Sequence, residues 1–187
     1  MIFDKHKCIF IHVPKCAGSS IEQFLNGGSF DSKATNYNSC CGWDNENKIW
    51  MQHATAEQIN NLYTDKFDEY FKFAIVRNPW DRALSDYFWM QNEIRAKDSF
   101  KNFLLLQGRF NDRRLRFPML NSESRADHFL PQHEFILNRK GEQIVDFVGK
   151  FENIKEDFGV ICDRISISKT QLPHQNKGKK SKHYTEY

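Results

Sequence analysis

One stretch near the start limits what the rest of the chain can become. Residues 7–25 read as a short buried strand over residues 8–13, a tight loop over residues 14–20, then a helix with Ile21, Phe24 and Leu25 on one face. A strand that runs through a small-residue loop into a helix start gathers free backbone N–H groups around one point. The helix dipole adds partial positive charge there. Lys15 supplies a full charge and Ser19 and Ser20 supply hydroxyl donors, so the loop suits a phosphate or another tetrahedral anion. The competing reading is an ordinary strand–turn–helix with a chance lysine.

The loop differs from those that hold ATP or GTP. The Walker pattern is G-x-x-x-x-G-K-[ST], with lysine just before the hydroxyl residue that holds Mg²⁺. Here Lys15 comes three residues before Gly18, and no Gly-Lys-Ser/Thr follows. An anion handled by lysine and backbone alone fits better than a metal-bridged triphosphate.

A second informative run starts at Phe71. Residues 71–76 are mostly apolar and read as a central parallel strand, with Arg77 at its C-terminal end, where α/β sheets bind ligands. Asn78-Pro79 turns the chain into a helix whose apolar set is Leu84, Tyr87, Phe88 and Ile94. Ser85 follows Arg77 by eight residues, about two helical turns. Between the two runs, Thr55 and Gln58 make a capping box for a helix that turns Ile59 and Leu62 inward, and His53 stands just outside its start. Taken alone, a histidine before a helix is more often a surface or hydrogen-bonded residue than a catalyst.

The remainder is less specific. Residues 27–47 show little periodicity and read as a long loop, and a helix is expected over 98–106. Arg109, Arg113, Arg114 and Arg116 form a charge run that reads first as a solvated face. His128 and His133 are too loosely arranged to point to a metal. A strand is expected over 143–151, then a helix carrying Ile154, Phe158, Ile161 and Ile165, and a basic tail from about residue 172. Strand–helix repeated three times gives a single α/β domain over residues 1–187 with a mainly parallel sheet. The net charge of +3 is too small to imply nucleic-acid binding, no apolar run approaches the ~20 residues of a membrane span, and five cysteines without metal-ligand spacing read as reduced thiols.

Taken together, these runs resemble one family. IHVPKCAGSS is similar to the 5′-phosphosulfate loop of the membrane-type carbohydrate sulfotransferases, the group containing the heparan 2-O and chondroitin 4-O enzymes, and of their bacterial relatives. FAIVRNPWDRALSDYF is similar to their 3′-phosphate motif, and DHFLPQHEFI and VGKFENIKEDFGVIC to their later core segments. The resemblance implies a three-layer fold like that of the P-loop nucleoside-triphosphate hydrolases. It implies 3′-phosphoadenosine 5′-phosphosulfate as donor and in-line transfer to a hydroxyl, of a saccharide in most relatives, with no bridging metal. It places the donor's phosphosulfate on Lys15, Cys16, Ala17, Gly18, Ser19 and Ser20, and its 3′-phosphate on Arg77 and Ser85. Lys15 would stabilise the leaving group and His53, in QHATAEQI, would be the base. Golgi relatives carry an anchor and lumenal disulfides that this sequence lacks, which implies a cytoplasmic, bacterial-type enzyme. The family also continues beyond such a tail with a further helix, so the chain end is truncated or this member is short. Two rivals stand beside this reading: a small-molecule P-loop kinase, and a non-catalytic module that binds nucleotide or acidic polysaccharide.

Overall fold

In the computed structural model, residues 1–28, 34–95, 97–116, 122–168 and 172 are described. Their frame is a four-stranded sheet in the order β1 (Ile2–Phe3), β2 (Cys8–Ile11), β5 (Phe71–Val76), β6 (Phe147–Lys150). β2 runs parallel to β5 with Phe10 opposite Phe73, and β5 parallel to β6 with Ala74 opposite Val148. β1 pairs antiparallel to β2 at the edge. The fold is therefore mixed α/β with a mainly parallel sheet, as the alternation of patterns predicts.

Burial explains the parallel centre. All four residues of β2 are buried, and Phe73, Ala74 and Ile75 of β5 are wholly inside, as expected for strands covered on both faces. Phe10 stacks on Phe73 with ring centroids 5.1 Å apart. Two helices join this core: Phe24 of α1 (Gly18–Leu25) meets Phe158 of α7 (Ile154–Arg164) edge to face at 5.0 Å. A second apolar cluster gathers Leu84, Tyr87 and Met90 of α4 (Pro79–Glu93) with Phe103 of α5 (Phe100–Leu104), Phe110, and Leu115 of α6 (Arg113–Arg116).

Several boundaries differ from the sequence reading. The strand expected over 143–151 is confined to β6, because Asp146 turns back to the backbone of Lys72 and Phe151 starts a 3-10 turn. The helix expected over 98–106 shortens to α5, since Asp98 is engaged by the backbone N–H groups of Ser99 and Arg109. Leu62 and Phe88 are exposed and not inward. The stretch read as a long loop has internal order where described. Asn36 bridges Cys41, and β3 (Trp43–Asp44) pairs with β4 (Ile49–Trp50). The capping box of α2 (Ala56–Leu62) forms as expected, with Thr55 and Gln58 exchanging hydrogen bonds, and α3 (Thr64–Glu69) leads into β5. The basic tail lies outside the described residues beyond 172.

Parallel strands put their C-terminal ends on one side. The residues just after β5 and β6 therefore meet: the Arg77 guanidinium lies 4.3 Å from the Phe151 ring, and the Asn78 N–H donates to Glu152 at 2.7 Å.

Candidate active site

β2 delivers its loop under tension. Lys15 (φ 68°) and Ala17 (φ 67°) both take the left-handed conformation, which costs a non-glycine residue of the order of 1–2 kcal/mol each. The two reversals fold the loop tightly, with the Cys16 N–H donating to Val13 at 3.3 Å, and Ala17 caps α1. The Ser20 and Ile21 N–H groups donate to the Ala17 carbonyl at 3.1 and 3.2 Å, which leaves those of Gly18 and Ser19, at the very start of α1, available to an anion. Gly18 is required by its neighbour: a Cβ there would stand 1.8 Å from His12 Nε2.

The second strand end closes on this loop. Arg77 Nη1 donates to the Lys15 carbonyl at 3.3 Å, while Arg77 Nε is buried without a hydrogen-bond partner among the described residues. Gln132 clips both pieces. Its amide donates to the Arg77 carbonyl and accepts from the Arg77 N–H at 2.7 and 2.9 Å, and the same oxygen lies 3.4 Å from the Cys16 thiol. Arg82 Nε donates to the Pro14 carbonyl at 3.0 Å, Nη1 to that of Leu130 at 3.1 Å and Nη2 to that of His128 at 2.8 Å. Lys15 points its ammonium at the Trp89 ring, 5.1 Å from the centroid. Burial lowers the Lys15 pKa and the nearby Arg77 charge adds to this, while Asp86 opposes both.

Beyond the loop stand three imidazoles, each with its own carboxylate. His12 Nδ1 meets Glu22 at 2.5 Å, His53 Nδ1 meets Asp127 at 2.5 Å, and His128 Nδ1 meets Asp86 at 2.7 Å. The rings touch in sequence: His12 to His53 edge-on at 4.7 Å, His53 to His128 edge-on at 5.4 Å, and His128 flat on Trp89 at 4.4 Å. With Lys15 over Trp89 and His12 against Gly18, the contacts leave the loop after β2 at one residue and return to it at another.

Burial lowers the His53 pKa to about 4, although the Asp127 hydrogen bond and charge pull the other way. Burial alone would raise Asp127, but the hydrogen bond and charge of His53, with the charges of His128 and Arg125, bring it down to about 2. Near neutral pH, then, Asp127 is ionised and His53 is neutral. The proton sits on Nδ1 facing Asp127, and Nε2 is left as an acceptor.

The fold thus brings Lys15, Cys16, Gly18, Arg77 and His53 into one array. Ser19 is exposed and Ser20 half-buried on the first turn of α1. Ser85 is half-buried on α4, one turn past Arg82 and next to Asp86, so it rides on the helix that supplies both. Arg109, Arg113 and Arg116 are exposed, and Arg114 pairs with Asp112 at 2.6 Å. Sequence reasoning missed His12, Glu22, Arg82, Asp86, Trp89, Asp127, His128 and Gln132 as parts of the site. A signal existed for one of them: His12 is a polar residue within the otherwise apolar run of residues 8–13 that leads into the loop.

Comparison with known proteins adds one family and one relative. A family model described as "Sulfotransferase family" matches residues 1–187. An uncharacterized protein of Archaeoglobus fulgidus is 32% identical over 113 residues, covering 60% of this chain and 82% of the relative. No solved structure matches.

Proposed function

Because the chain belongs to the sulfotransferase family, we propose that it moves the sulfuryl group of 3′-phosphoadenosine 5′-phosphosulfate to a hydroxyl, that of a saccharide first among acceptors. The observation that carries this reading is the meeting, beside the C-terminal ends of β2 and β5, of a cation-bearing loop, a second cation and a neutral histidine whose Nε2 can accept a proton. Lys15 and the N–H groups that open α1 would hold the phosphosulfate. Arg77, whose buried Nε has no partner among the described residues, and Ser85 would hold the 3′-phosphate. The loop after β2 and the strand order are read as a P-loop-like, three-layer arrangement.

The chemistry follows from these positions. His53 Nε2 accepts the proton of the acceptor hydroxyl as its oxygen bonds to sulfur, and Asp127 steadies the imidazolium that forms. The bond from sulfur to the bridging phosphate oxygen breaks on the opposite side, and 3′-phosphoadenosine 5′-phosphate departs. Negative charge grows on that oxygen, where Lys15 and the loop N–H groups meet it. One such preorganised donor is typically worth about 3 kcal/mol. An anion arriving at the loop also favours the charged form of Lys15, offsetting the burial that lowers its pKa.

Calorimetric titration with 3′-phosphoadenosine 5′-phosphate, with 5′-AMP as control, tests the donor assignment. Strong preference for the 3′-phosphorylated ligand is expected, and its loss in Arg77→Ala. Equal binding of both nucleotides to the native chain would overturn the assignment.

A further inference from the structure

The mechanism above leaves one oxygen of a buried carboxylate unused. Asp127 Oδ2 meets His53, but Asp127 Oδ1 is buried with no hydrogen-bond partner among the described residues, on a side chain only 3% exposed. An unpaired carboxylate oxygen in the interior is costly and calls for a ligand. Its surroundings are of the right kind. Among the described residues, His53, Asp127 and His128 each offer one ligand atom, and these atoms all lie within 4.8 Å of one another. His128 has the support typical of a metal-binding histidine: Asp86 holds its Nδ1 at 2.7 Å, which fixes the ring and leaves Nε2 as the nitrogen that can ligate. Sequence reasoning considered His128 only with His133, which is exposed; the fold groups it with His53, 75 positions away in the other direction.

We propose that His53, Asp127 and His128 form a binding site for a divalent transition-metal ion of the Zn²⁺ type. Two imidazoles and one carboxylate match that class, whereas Mg²⁺ and Ca²⁺ prefer all-oxygen sets. Glu22 and Asp86 add negative charge around the cluster, and the nearby Arg125 is occupied by Glu93. A metal on His53 engages the imidazole that would take the acceptor proton and screens the charge of Asp127. The ion is therefore an inhibitor of transfer. That consequence rests on His53 being the base; the binding itself does not.

The direct test is titration of the chelator-treated chain with Co²⁺, followed by its visible absorption, and then displacement by Zn²⁺. One ion per chain is expected, with affinity at least about tenfold weaker in His128→Ala and Asp127→Asn, and about 10–100-fold weaker in Asp86→Asn. Should a variant fail to fold, imidazole ¹⁵N spectra of the native chain decide the matter: Zn²⁺ should shift His53 and His128 and leave His6 and His133 in place. No binding at micromolar metal, unchanged affinity in His128→Ala, or shifts confined to His6 and His133 would overturn the site. Zn²⁺ should also arrest transfer, with recovery on chelation. Binding without arrest would keep the site and remove its inhibitory role, and a chain that transfers nothing would leave the metal titration fully readable.

Discussion

His12 Nε2 occupies the space that a side chain at position 18 would need, 1.8 Å from where a Cβ on Gly18 would stand. The first residue of α1 and the last polar residue before the loop are thus fitted to each other. Gly18→Ala must push the imidazole away, at a cost of about 1–3 kcal/mol for overpacking, and with it the edge contact to His53. Thermal melts should show that loss, and His12→Ala should recover part of it in the double variant. Simple additivity of the two substitutions would mean that the contact is not the source.

Asp127→Asn should leave donor binding intact and cut turnover about 10²–10⁴-fold. The amide put in place of the carboxylate would no longer fix the proton on His53 Nδ1, and the imidazole would lose the charge that stabilises its protonated form. Steady-state kinetics separate the two: a fall in kcat at constant donor KM is expected. A matching loss of 3′-phosphoadenosine 5′-phosphate affinity would place Asp127 in donor binding instead.

The pH profile provides a third check. Only neutral His53 can accept a proton, and burial lowers its pKa to about 4. In chelator-containing buffer, kcat/KM should therefore hold steady well below pH 6 and fall as pH drops through about 4. Stability moves in the same direction. The unfolded chain binds this proton near the ordinary 6.5 and the folded chain only near 4, so folding weakens as pH falls between those values. An acid limb of activity centred near 6.5 would contradict the burial of the ring.

Arg82 joins three backbone carbonyls from two segments, so Arg82→Lys should lower stability by a few kcal/mol despite keeping the charge. An ammonium cannot reproduce the planar fork, and each lost charge-assisted bond is worth about 1.5–3 kcal/mol before compensation by water. Denaturant melts should show the shift, and a change within experimental scatter would refute the pinning role.

The thiols should be silent. Burial pushes Cys8, Cys16 and Cys41 up to about 12 and raises Cys40, and all five cysteines are free and buried. At about pH 8 the native chain should resist a thiol reagent that labels all five after denaturation. Rapid labelling of Cys16 alone would show that the loop opens.

The parts of this structure that depend on neighbours in sequence were legible, and those that depend on neighbours in space were not. Lys15 and Gly18 announce themselves because strand, loop and helix start lie within one short run, and Thr55 and Gln58 because a cap needs only a four-residue spacing. The partner of His53 is 74 residues away, that of His128 is 42, and Gln132 reaches Arg77 across 55. No local period encodes such pairs; they exist because the fold packs the 3-10 turns at Met51–His53, Ala126–Phe129 and Gln132–Phe135 against one another, against α4 and against the end of β5. The exposure of Leu62 and Phe88 was hidden for a related reason, since periodicity names a face but not what covers it.

Trp89 is in contact with both a cation and an imidazole: the Lys15 ammonium lies over its ring, and the His128 ring stacks on it at 4.4 Å. Indole emission is sensitive to charge held at its face. An anion that draws Lys15 toward the loop alters the environment of this fluorophore, so the chain carries its own optical gauge, through which ligand arrival can be timed in a stopped-flow instrument without any label.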